Sequence, residues 1–106
     1  MEKSEDRIQF EIVTWFKNNK IDGLIFAIPN GGSRNKIEAM KLKATGVLAG
    51  VSDLIILQPN GKIKFVEVKI EKGRQSESQK DFQKKVNDLG FDYYIVRSLD
   101  DFIEII

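Results

Sequence analysis

A chain of 106 residues with 42% hydrophobic and 31% charged side chains fits one globular domain, residues 1–106, with a modest core. It has no cysteine and no histidine, which excludes disulfides, thiolate and imidazole metal sites, and Ser-His-Asp or Cys-His catalysis. The net charge is only +1, but residues 30–85 carry twelve Lys or Arg against six Asp or Glu, while the remainder carries five against ten. A basic middle between acidic ends suits a face that meets phosphate, although lysines that merely solubilise helices would give the same count. No apolar run reaches membrane-spanning length and there is no secretory h-region, so a cytoplasmic setting is expected.

Ser4 is placed to cap a helix, and Glu5 and Asp6 suit its first turn. Ile8, Ile12, Val13 and Phe16 recur at helical spacing, which predicts an amphipathic helix over about 5–18. Glu5 fits an ordinary first-turn acid or a carboxylate turned towards a site. Leu24 to Ile28 is a strand candidate stopped by Pro29. Asn30-Gly-Gly-Ser-Arg-Asn35 follows. Gly31 and Gly32 allow close backbone approach, and Arg34 offers a bidentate phosphate clamp. A plain polar loop fits equally well. The absence of a Gly-Lys-Ser/Thr ending argues against a nucleotide-binding P-loop. A short helix is predicted from Lys36 to Thr45, carrying Lys41 and Lys43 and stopped by Gly46.

Gly50 to Ile70 is the most informative stretch. Asp53 to Leu57 reads as a buried strand, Asn60-Gly61 as a two-residue type I′ turn, and Lys62 to Ile70 as the returning strand. Alternation puts Phe65, Glu67 and Lys69 on one face and Lys64, Val66, Val68 and Ile70 on the other. The hairpin brings Asp53 near Glu67 and Lys69. Two carboxylates suit a hard cation such as Mg²⁺, and a lysine beside them can orient water or offset developing charge. A surface ion pair would produce the same spacing. However, Glu67 and Lys69 lie inside an apolar run, where burying charge without a partner is costly.

Ser76 caps a further predicted helix with Phe82, Val86 and Leu89 on one face and Gly90 at its end. Gln79 falls in its first turn, as a solvated side chain or as a hydrogen-bonding group beside the end of the Lys69 strand. Asp92 to Arg97 reads as a strand parallel to the one before the helix. Ser98 caps a short final helix containing Phe102, Ile105 and Ile106. The expected fold class is therefore α/β: a small mixed sheet of about four strands with a central hairpin, flanked by helices.

The ordered set of Glu5 to Gln9, Pro29 to Arg34, Lys43 to Gly46, Gly50-Val-Ser-Asp53, Glu67-Val-Lys69 and Ser76 to Gln79 resembles the PD-(D/E)xK restriction-endonuclease-like fold. More narrowly, it resembles the VRR-NUC nuclease domain in its small stand-alone phage and bacterial form. The resemblance implies that Asp53 and Glu67 bind Mg²⁺ or Mn²⁺, with Glu5 completing the metal site directly or through water. It implies that Lys69 positions or activates the attacking water and that Gln79 supports the site. The residue before the central Asp is usually proline in that family, whereas here it is Ser52. Asn30, Gly31, Gly32, Arg34 and Lys43 are the candidate DNA contacts. The implied activity is metal-dependent hydrolysis of DNA phosphodiesters, selective for branched DNA such as four-way (Holliday) junctions, in a bacterium or phage-infected host. Symmetric junction cleavage needs two sites, hence a homodimer; Trp15 and Phe102 to Ile106 are interface candidates or core. A non-catalytic DNA-binding or adaptor module on the same fold is the alternative.

Overall fold

The computed structural model describes residues 2–29 and 36–106. Helix α1 spans Glu5–Asn18, and the Ser4 hydroxyl accepts the Arg7 N–H at 3.1 Å, as its cap position predicts. Ile8, Ile12 and Phe16, spaced four apart, form its buried stripe. Strand β1 is Leu24–Ala27, helix α2 Lys36–Ala44, and strand β2 Leu54–Gln58. A 3-10 turn at Pro59–Gly61 leads into β3, Lys62–Val68. Helix α3 (Glu77–Asp88), strand β4 (Asp92–Val96) and helix α4 (Leu99–Ile105) complete the order.

The sheet runs β1-β2-β3-β4, with β1, β2 and β3 antiparallel in turn and β4 parallel to β3. This is the expected mixed sheet with a central hairpin. The hairpin turn differs from expectation. Gln58 pairs with Lys62, so three residues intervene rather than two. Asn60 and Gly61 still take positive φ, 67° and 75°, as their residue types favour. Pro59 adds the extra residue, since it has no N–H to give a ladder bond. Strands β1, β3 and β4 end earlier than expected, and β2 is shifted by one residue. Asp53 precedes β2 and Lys69 follows β3, although the Lys69 N–H still donates to the Val96 carbonyl at 3.0 Å.

One face of the sheet carries Ile25, Leu54, Ile56, Val66, Val68 and Val96, which pack on the α1 stripe and Phe102 of α4. Each such fully buried side chain contributes about 1.5–3 kcal/mol. Trp15 meets Phe102 edge-on, with ring centroids 6.2 Å apart, and Ile105 and Ile106 also pack on this core. The C-terminal apolar stretch and Trp15 are thus used internally, not as the interface they were candidates for; of that stretch Ile103 is the larger apolar residue left exposed. The other face carries Phe65, Tyr93 and Ile95, covered by Phe82 and Val86 of α3. Helix α2 buries none of its residues.

Candidate active site at the end of the central hairpin

Antiparallel pairing places the start of β2 beside the end of β3, and Asp53 links the two. Its Oδ2 accepts the Val68 N–H at 2.7 Å, while its backbone carbonyl accepts the Ile28 N–H at 2.9 Å. Ser52 is fully buried and its hydroxyl donates to the Leu54 carbonyl at 3.2 Å. A buried, hydrogen-bonded serine therefore sets the entry to Asp53 where a proline is usual.

Glu67 is 1% exposed, and among the described residues neither carboxylate oxygen has a hydrogen-bond partner. Lys69 Nζ lies 3.8 Å from its Oε2, too long for a good hydrogen bond. Lys69 is itself 9% exposed. Burial pushes the Glu67 carboxyl up to about 8; the neighbouring Asp53 adds to this, Lys69 opposes it, and Glu5 adds a smaller contribution. An unsatisfied buried carboxylate beside a second one costs stability. Such a group is retained where chemistry needs it, which makes this end of the hairpin the candidate active site.

The structure thus brings Asp53, Glu67 and Lys69 together. Glu5 sits exposed in the first turn of α1, close enough to act on Glu67 electrostatically. Among the described residues, no three Asp or Glu side chains converge on one point. Gln79 lies at the start of α3, and its Oε1 accepts the Ser76 N–H at 2.8 Å while the Ser76 hydroxyl accepts the Gln79 N–H. This reciprocal capping box commits the Gln79 oxygen to the helix start. Lys43 is exposed on α2. Asn30, Gly31, Gly32 and Arg34 lie outside the described residues.

Several neighbours were not legible as site residues. Gly50, at φ +84°, approaches the α3 N-terminus so closely that a Cβ would lie 2.2 Å from the Ser78 carbonyl oxygen. Its glycine serves this backbone contact, which seats the Asp53 loop against Gln79. The Tyr93 hydroxyl accepts from Gln75 Nε2 at 3.2 Å, and that amide also donates to Gln83 Oε1 at 3.0 Å. Burial, then the charge of Glu67, pushes the Tyr93 phenol up to about 12. A concavity of about 650 Å³ lies elsewhere, between α1 and the start of α4, and is lined by Phe10, Trp15, Arg97 and Leu99 among others. Asp53 and Glu67 are not among its lining residues.

The VRR-NUC domain model matches residues 2–100. The chain belongs to the VRR-NUC family. A solved structure described as a VRR-NUC domain protein superposes with a TM-score of 0.80 at 24% identity, over 99% of this chain and 86% of the other. A second, described as a VRR-NUC domain, gives 0.66 at 25% identity over 94% of each chain. No curated protein matches. The mixed sheet and its flanking helices are thus the VRR-NUC fold, and family membership makes this a nuclease-type domain that meets DNA.

Proposed function

We propose that this VRR-NUC domain is a divalent-metal-dependent endodeoxyribonuclease acting on branched DNA such as four-way junctions. The observation that carries the reading is the Glu67 carboxylate, buried without a hydrogen-bond donor among the described residues and beside Asp53 and Lys69. An all-oxygen donor set of this kind fits Mg²⁺ or Mn²⁺ rather than a softer metal. Asp53 and Glu67 would hold the cation, with Glu5 completing the site directly or through water. When bound there, the cation supplies charge that polarises a phosphoryl oxygen and lowers the pKa of water.

The chain's own groups do the remaining work. Asp53 is oriented by the Val68 N–H, which its Oδ2 accepts. Lys69 positions the attacking water and offsets negative charge that develops on the phosphate. Water attacks phosphorus in line with the leaving oxygen, whose bond to phosphorus breaks. Gln79 supports the site through the loop it holds, and its amide nitrogen remains available to a phosphate or water. Asn30, Gly31, Gly32, Arg34 and Lys43 are proposed contacts to the DNA backbone. Symmetric cleavage of a junction needs two such sites, which favours a homodimer. Its apolar surface is then sought on Leu24, Phe26 and Leu57 of the β1–β2 half of the sheet and Ile37 and Met40 of α2, all exposed.

Calorimetry with Mn²⁺ tests the metal site. Asp53→Asn keeps an oxygen for the Val68 N–H, so the fold is retained while a carboxylate charge is lost. The wild type should bind Mn²⁺ and the variant should lose most of that binding. Absence of heat in both proteins would favour the adaptor reading.

A further inference from the structure

The turn that follows Lys69 has no assigned role, yet it is largely exposed and held by several hydrogen bonds. Arg97 Nη1 donates to three of its backbone carbonyls: Ile70 at 2.7 Å, Glu71 at 3.1 Å and Gly73 at 2.8 Å. The Gly73 N–H closes the turn onto the Ile70 carbonyl at 2.9 Å. A Cβ at Gly73 would lie 3.1 Å from the Ile70 side chain, so the turn is tight. Beyond it, Gln75 is tied to Tyr93 and Gln83. The carbonyl dipoles are thus drawn inward to one guanidinium, and the side chains project out.

Two of those side chains are Lys72 and Arg74, both exposed. Neither forms an ion pair among the described residues, whereas Lys80, Lys84 and Lys85 on α3 are each paired with a carboxylate of their own helix. Chain length keeps the Lys72 Cα within about 11 Å of that of Lys69. One DNA strand rises that far in roughly three nucleotides. The cations therefore sit within reach of phosphates next to the one that Lys69 would address. Holding the turn in advance lowers the ordering cost that mobile lysines incur on binding.

We infer that residues 70–75 form a preorganised grip for the DNA backbone, in which Lys72 and Arg74 bind phosphates flanking the scissile one and Arg97 fixes the turn that presents them. The inference rests on the nuclease reading and adds a binding element to it. The test is fluorescence anisotropy of labelled four-way junction and duplex DNA at several salt concentrations, in EDTA so that no cutting occurs. Lys72→Ala/Arg74→Ala is compared with wild type and with Lys17→Ala/Lys20→Ala near the far end of α1. Each lost phosphate contact lowers the slope of log K against log salt by about 0.9, so the double variant should lose roughly 1.8. The α1 variant should keep the wild-type slope, and exchanging the two residues, Lys72→Arg/Arg74→Lys, should restore it. An unchanged slope in the double variant, with wild type binding DNA, overturns the grip and leaves the nuclease reading standing. Failure of the wild type to bind any DNA overturns both.

Discussion

Replacing Glu67 by Gln isolates the electrostatic cost of the site. In the metal-free fold the Glu67 carboxyl titrates at about 8, against 4.5 for an unperturbed one, because it is buried beside Asp53. The folded state therefore holds a proton that the unfolded chain releases. The stability this contributes is complete below pH 4.5, declines as pH rises, and is lost once pH passes about 8. The slope within that window reaches at most about 1.4 kcal/mol per pH unit for one proton, so the change amounts to a few kcal/mol. That is a large share of a typical domain's stability. Urea denaturation in EDTA between pH 5 and 9 measures it. Wild type should lose stability from pH 5 to about 8 and level off above it, whereas Glu67→Gln should show a much flatter profile and be the more stable protein at pH 8–9. Adding Mn²⁺ should flatten the wild-type profile, since a cation competes with the proton, and leave the variant little changed. Parallel profiles for the two proteins in EDTA would refute the reasoning.

Gly50→Ala should cost more than about 2 kcal/mol, because a Cβ there meets the Ser78 carbonyl at a backbone φ of +84°. Thermal denaturation measures the loss, and a variant as stable as wild type would show that the Asp53 loop is not seated on α3 as described. Phe26→Glu, on an exposed strand position, should dissociate the proposed dimer in sedimentation equilibrium without lowering the melting temperature; an unchanged mass would place any interface elsewhere.

What was legible in the sequence is what local rules govern. Ser4, Ser76 and Ser98 each accept a first-turn N–H of the helix they precede. The alternation through Phe65, Val66, Glu67 and Val68 assigns the two sheet faces correctly, and it alone brings Glu67 and Lys69 to the same side. The hairpin turn was read one residue short because Pro59 joins a turn that Asn60-Gly61 already signals.

The long-range contacts were not legible. Arg97 looks like the polar end of a strand, and only the parallel pairing of β3 with β4 shows that it reaches carbonyls more than twenty residues away. Gly50 belongs to no local pattern, and only the folded chain shows that its neighbour is the start of α3. Trp15 and the C-terminal stretch carry enough apolar surface for an interface or a core. The packing of α1 on α4 decides for the core, a choice that periodicity cannot make. Gln79 and Ser76 look like separate features of the helix start, while the capping box joins them and uses the Gln79 oxygen.

The most direct test of the central claim is cleavage of a labelled four-way junction beside matched duplex and single-stranded DNA, with Mg²⁺, Mn²⁺ or EDTA. Wild type is run next to Lys69→Ala. The account predicts cutting that requires a divalent cation, is strongest on the junction, and falls at least a hundredfold in the variant while DNA binding persists. Cutting that survives in EDTA or in Lys69→Ala would contradict it, as would tight junction binding by the wild type with no cleavage of any substrate.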